Sequence, residues 1–211
     1  MRIVPIVLMV CIVLACAPAH AERRQIGHVL GVEVHVDQVE GSTEQERAGS
    51  LRRLFIDPVV RSYLEEHLDE IRLTESETDF LVGRLESYSK CNDHGYEAPE
   101  SEQTRRFVAG MLGAGVKVQG HFYRNFGAGR LLFQQAGVEA FDAMRQFLEQ
   151  SQAEGKFAII DPALRALAFD YWTRDQSPFL IEDPAAIEAA LSLETVISRC
   201  PPVVPDGSDD D

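Results

Sequence analysis

The sequence predicts a mainly α protein: a helical domain with a small N-terminal β-hairpin and one further short strand pair. Three observations lead there. Apolar residues recur at three- and four-residue spacing through most of the chain. Thr43-Glu44-Gln45-Glu46 and Thr74-Glu75-Ser76-Glu77 are capping boxes, in which a hydroxyl and a carboxylate satisfy the free amides of a first helical turn. Asp57-Pro58, Asp161-Pro162 and Asp183-Pro184 each set a cap and a proline at a helix start. Strand-like alternation is strongest in residues 26–39, around Gly31.

The first 21 residues read as an export signal. Arg2 gives a positive start, residues 3–17 are an almost unbroken apolar run, and Ala19 and Ala21 are the small residues before a cleavage site at Ala21/Glu22. The run is shorter than the roughly 20 residues that span a bilayer. A second processing route is written in the same segment. Leu14-Ala15-Cys16 resembles a lipobox, and lipidation of Cys16 would tether the protein to a membrane surface. Either route implies a periplasmic, exported protein, released or membrane-anchored.

After this signal the elements follow in order. Val29 and Leu30, then Val32, Val34 and Val36, form a hairpin turning near Gly31. Thr43 opens a helix that runs to about Phe55, and Asp57-Pro58 starts the next, with Val59, Val60, Tyr63, Leu64 and Leu68 at helical spacing. Thr74 opens a third, backed by Phe80, Leu81, Leu85 and Tyr88. A polar loop, residues 91–100, divides an N-terminal segment of hairpin and helices (22–90) from a C-terminal helical lobe (101–200). Ser101 opens that lobe. Four glycines, Gly110, Gly113, Gly115 and Gly120, weaken the later turns of its first helix. Residues 131–134 and 156–160 read as short strands that pair with each other, on either side of a helix over 138–152. Helices from Asp161-Pro162 and Asp183-Pro184 follow, the second of them the last, and residues 201–211 form a disordered acidic tail.

Composition narrows the function. The whole chain has 20 Lys+Arg against 34 Asp+Glu; without Arg2 the 19 remaining cations leave a net charge of −15. That balance argues against nucleic acid, whose phosphates need a basic surface. With the signal removed, Cys91 and Cys200 are the two remaining cysteines, and in an oxidising compartment they are expected to form a disulfide. A bridge there would close a loop of about 110 residues, worth about 4–5 kcal/mol by chain entropy.

Catalytic signatures are not legible. The chain has no G-x-S-x-G elbow and no H-E-x-x-H helix, so no catalytic, metal or cofactor residue is assigned. His28, His35 and Asp37 around the hairpin, and Asp93-His94 beside Cys91, are the nearest to a metal set, but neither has ligand spacing. Gly127-Ala128-Gly129-Arg130 lacks the Lys-Ser/Thr of a phosphate loop and reads as a helix stop. Glu65, Glu66, His67, Asp69 and Glu70 read as a solvated helix face, and Phe122, Tyr123, Phe126, Phe169, Tyr171 and Trp172 as core. Gln134-Gln135 after an apolar run has no evident role.

The order of elements carries a resemblance. An export signal, the hairpin Ile26-Gly27-His28-Val29-Leu30-Gly31-Val32-Glu33-Val34, then helices and the step Leu73-Thr74-Glu75-Ser76-Glu77-Thr78-Asp79 resemble the N-terminal region of SurA-type and PrsA-type periplasmic folding factors. The likeness covers residues 26–85. The second half resembles a set of uncharacterised exported proteobacterial proteins, through Tyr123-Arg124-Asn125-Phe126-Gly127, Phe133-Gln134-Gln135-Ala136-Gly137 and Glu139-Ala140-Phe141-Asp142-Ala143. No counterpart of a parvulin domain is present. The resemblance implies a non-enzymatic, chaperone-like protein that binds unfolded or extended polypeptide. The alternatives are an envelope adaptor that docks through one helix face and the acidic tail, and an isomerase-related enzyme whose site no motif marks.

Overall fold

The computed structural model describes residues 24–90, 99–134 and 137–197. The expected export signal with its expected processing positions Cys16, Ala21 and Glu22, both cysteines of the expected disulfide, Asp93-His94, Gln135 and the expected acidic tail lie outside them. The described chain is mainly helical, with two three-stranded antiparallel sheets.

A hairpin turning near Gly31 forms, but Val36, expected in its second strand, falls in a 3-10 turn over Val36–Gln38. β1 (Gln25–Val29) and β2 (Val32–His35) are joined by Leu30 and Gly31, both at positive φ, the conformation of a two-residue turn matched to strand twist. It does not stand alone. β5 (Phe157–Ile159) pairs with β1, giving the order β2-β1-β5. The expected pairing of 156–160 with 131–134 is therefore corrected. β3 (Leu131–Gln134) pairs instead with β4 (Gly137–Glu139) and β6 (Leu180–Ile181). Sequence proximity favoured the wrong partner. Gly27 on β1 settles the right one, because a Cβ there would collide with the Ala158 carbonyl oxygen on β5 and come within 2.7 Å of the Phe55 ring.

The helix α1 (Glu44–Leu51) opens on the expected capping box: Thr43 Oγ1 accepts from the Glu46 amide at 3.2 Å, and Glu46 Oε2 accepts from the Thr43 amide at 3.1 Å. It does not stop at Phe55. Residues Arg52–Ile56 form a π turn that passes straight into α2 (Asp57–Glu66), with Asp57 helical at φ −56°, ψ −40° and without a capping hydrogen bond from its side chain. The wide turn has a cause. Pro58 has no N–H and would press on the carbonyl four residues back. Bonding the Asp57 amide to the Arg52 carbonyl, five residues away, opens the helix locally instead of breaking it.

The chain continues through α3 (Leu68–Ile71), α4 (Glu75–Lys90) and α5 (Glu102–Asn125). Thr74 and Glu77 form the second box, and Ser101 caps α5 by accepting from the Thr104 amide. The glycines do not end α5. Gly113 is buried, and a Cβ on it would meet Leu81 at 2.5 Å and Leu73 at 2.8 Å, so it lets α4 and α5 approach. Then come α6 (Phe141–Ala153), α7 (Pro162–Thr173) and α8 (Pro184–Ala190). Asp161 and Asp183 cap the last two as expected.

Most of the buried apolar side chains form one core. Leu51, Phe55 and Val59, one helical turn apart, point inward to meet Phe122, Phe147 and Phe157, and β1, α5, α6 and α7 close around them. A smaller cluster of Leu81, Leu85, Ala109 and Ile197 holds α4 against α5.

Candidate functional site: an arginine-rimmed groove along α1 and α2

The face of the long helix beside its inward face is a second stripe. Gly49, Arg52, Arg53, Ile56, Asp57, Val60, Arg61, Leu64, Glu65 and Leu68 recur at three- and four-residue spacing and line one side of an open cavity of about 840 Å³. Within the stripe, two rows run along the axis at four-residue steps. Ile56, Val60, Leu64 and Leu68 are apolar, and Leu68 is 54% exposed. Arg53, Asp57, Arg61 and Glu65 alternate in sign and are all exposed. Among the described residues, neither these four nor Arg52 forms an ion pair, even with its neighbour one turn away.

Ile71, Met144, Glu139, Tyr171 and Trp172 form the opposite wall. It is fixed by Glu139, whose Oε2 accepts from the Tyr171 hydroxyl at 2.6 Å and whose Oε1 accepts from the Trp172 indole N–H at 2.9 Å. The Gln134 amide donates to the same carboxylate at 2.8 Å and also meets the Tyr171 hydroxyl. This network gives Gln134 its role: it turns the polar end of β3 toward Glu139. Burial, and next the Glu139 contact, push the Tyr171 phenol above its ordinary pKa, so it remains a neutral donor. The Arg52 guanidinium stands 5.5 Å from the Tyr171 ring centre, and Arg174 5.6 Å, both in cation–π range. Half-buried Arg52 thus leans over the groove with no carboxylate to neutralise it. Three arginines, Arg52, Arg53 and Arg61, line one cavity of a chain with 20 Lys+Arg against 34 Asp+Glu.

A second polar cluster lies on another face of α2. Tyr63 Oη and His121 Nε2, both buried, are 2.7 Å apart, and His121 Nδ1 is 3.5 Å from Glu70 Oε2. A carboxylate only accepts, so the imidazole proton sits on Nδ1 and the bare Nε2 accepts from the tyrosine. His67 Nδ1 donates to the Tyr63 carbonyl at 2.8 Å, and its ring lies 5.1 Å from that of His121. Burial lowers the His121 pKa, while Glu70 opposes the shift and His67 and Arg124 reinforce it; burial raises that of Tyr63. Phe122, Phe126 and Phe147 surround the tyrosine ring at centroid distances of 4.9–5.3 Å. None of Tyr63, His67, Glu70 and His121 lines the groove. The pair is a neutral pin between α2 and α5.

The residues singled out from sequence are dispersed. His28 faces Glu33 across the hairpin and His35 faces Gln25, while Asp37 sits in the following turn. Among the described residues no three His, Cys, Asp or Glu are grouped to hold a metal ion. Glu65, Glu66, Asp69 and Glu70 are exposed, as a solvated face requires, but half-buried His67 turns inward, and Glu70 reaches His121. Arg130, read as the end of a helix stop, forms a two-pronged pair with Asp142 at 2.9 and 3.0 Å, tying β3 to α6. The resemblance led to the expectation of an apolar helical groove, but the sequence did not place it on residues 49–68, nor did it indicate the Tyr63–His121 pin. The stripe over 49–68 was available as a signal, because residues on both faces of α2 are apolar. His121 gave none. No described helix is long and apolar enough to cross a membrane. The chain matches no family model, no curated protein and no solved structure.

Proposed function

We propose that this protein is a non-enzymatic, chaperone-like polypeptide-binding protein that works after export, and that the groove along α1 and α2 holds apolar stretches of a client chain. The observation that carries this is the groove itself: an open trough whose apolar row is flanked by unpaired charge. Its volume is within the few hundred to 1,000 Å³ of ligand clefts, and its length suits a chain segment better than a compact metabolite. An apolar surface rimmed by charge stays soluble while it waits for a partner. The likeness of residues 26–85 to SurA-type and PrsA-type folding factors supports the same reading, as does the export signal.

Trp172 is the one tryptophan of the chain and lies in the groove wall, so its fluorescence reports occupancy directly. Titration with an unfolded outer-membrane protein is expected to shift Trp172 emission and to slow aggregation of the client without nucleotide. Because capture is mainly apolar, the effect persists at moderate salt. No suppression at several-fold excess, together with unchanged Trp172 emission, refutes the proposal.

A further inference from the structure

The charged row beside the groove is self-complementary in one direction only. Read along the helix it is Arg53, Asp57, Arg61, Glu65. Laid antiparallel on a second copy of itself, Arg53 meets Glu65 and Asp57 meets Arg61, and the two-fold axis makes each pairing occur twice. Laid parallel, each residue meets its own like charge. The apolar row of Ile56, Val60, Leu64 and Leu68 is centred on residue 62 and the charged row on residue 59, about 4.5 Å apart along a helix. The charged row therefore sets the two-fold, near Val59, and the apolar row flanks it. The face also suits self-association electrostatically: the four charges cancel on a chain whose net charge is −14, and every one of them lacks an ion pair among the described residues.

We infer that the groove's resting occupant is a second copy of this chain, with the two α1–α2 helices antiparallel in an isologous dimer. This rests on the reading of the groove as a polypeptide-binding surface: the copy covers the apolar row until a client displaces it. The stripe from Gly49 to Leu68 is about 28 Å long at 1.5 Å per residue. Two such strips make an interface at the small end of specific ones, so the dimer is weak and exchangeable, with a dissociation constant on the order of 10 μM.

Sedimentation equilibrium of the purified protein tests this, with Arg53→Glu, Glu65→Arg and the double exchange Arg53→Glu/Glu65→Arg. Both residues are exposed, and unchanged circular dichroism verifies folding of the variants. The wild type is expected to pass from monomer to dimer with concentration. Each single reversal places like charges together at two symmetric positions and raises the dissociation constant about tenfold or more. The double exchange restores it to within about threefold, since only the antiparallel pairing puts position 53 opposite position 65. A wild type that remains monomeric, a dimer indifferent to the reversals, or a double exchange no better than the singles overturns the inference. The two readings fail separately. Client-dependent Trp172 emission from a permanent monomer sinks the dimer alone, and a groove dimer that ignores clients sinks the chaperone function alone.

Discussion

Replacing Tyr63 with phenylalanine removes one oxygen and leaves the ring in place against Phe122, Phe126 and Phe147. No cavity opens, so the loss of transfer energy is small. What remains is His121 Nε2 without its 2.7 Å donor, in a side chain only 3% exposed. An orphaned buried acceptor costs about 1–3 kcal/mol. For a domain of 150–250 residues, about 2 kcal/mol lowers the melting temperature by about 4–8 °C. Urea unfolding followed by circular dichroism and by Trp172 fluorescence measures it, with coincident curves verifying a two-state transition. A cycle with His121→Leu isolates the pair: in that background the tyrosine hydroxyl has lost its own partner, and Tyr63→Phe becomes neutral or slightly stabilising. A cost below about 0.5 kcal/mol in the wild type, or the same cost in both backgrounds, refutes the assignment of Tyr63–His121 as the pin between α2 and α5.

The same histidine sets an acid limit. Its folded pKa lies below the ordinary 6.5, so its contribution to stability is full above pH 6.5 and declines as pH falls below it, because the unfolded chain takes the proton first; replacing His121 with leucine should flatten that limb of a stability–pH curve. Asp142, held below the usual carboxylate range by the Arg130 side chain, adds a second loss at lower pH, which begins as pH falls below 3.8, where the unfolded chain takes the proton first, and runs down through the lower folded value; Asp142→Asn should remove this limb and destabilise the fold at neutral pH. Glu139→Ala strands the Tyr171 hydroxyl and the Trp172 N–H, and is expected to cost about 1–3 kcal/mol and to change Trp172 emission before any client is added. Thr43→Ala should cost about 0.5–2 kcal/mol by loss of the α1 cap, with Trp172 emission of the folded state unchanged.

Local chemistry was legible in the sequence. Thr43, Thr74, Ser101, Asp161 and Asp183 all cap the helices they were expected to cap, because a cap depends on residues within one turn. The hairpin was legible for the same reason. Pro58 misled, since proline ordinarily stops a helix and nothing in the sequence announces that a π turn will absorb it. Strand partners were the other failure. The 157–159 strand has no local signal naming β1 as its neighbour, and only the bare Cα of Gly27, pressed between Ala158 and Phe55, reveals the fit afterwards. The groove was hidden by abundance: a helix that is apolar on two sides does not declare which side meets the core. His121, directly after Gly120 in α5, becomes interpretable only when Tyr63 and Glu70 are seen beside it.

The pairing of Gly27 with Ile159 has a consequence for how the chain reaches its native state. The two residues are 132 positions apart in sequence, and drawing such distant points together costs about 4 kcal/mol of chain entropy beyond a constant. Neither strand can recover that cost until the other has arrived, so the first sheet is finished late, however early its hairpin forms. Until then β1 offers an unpaired edge to any passing strand. A chain made from its N-terminus exposes that edge first and closes it last, which makes the interval between the two the period of greatest risk of misassembly.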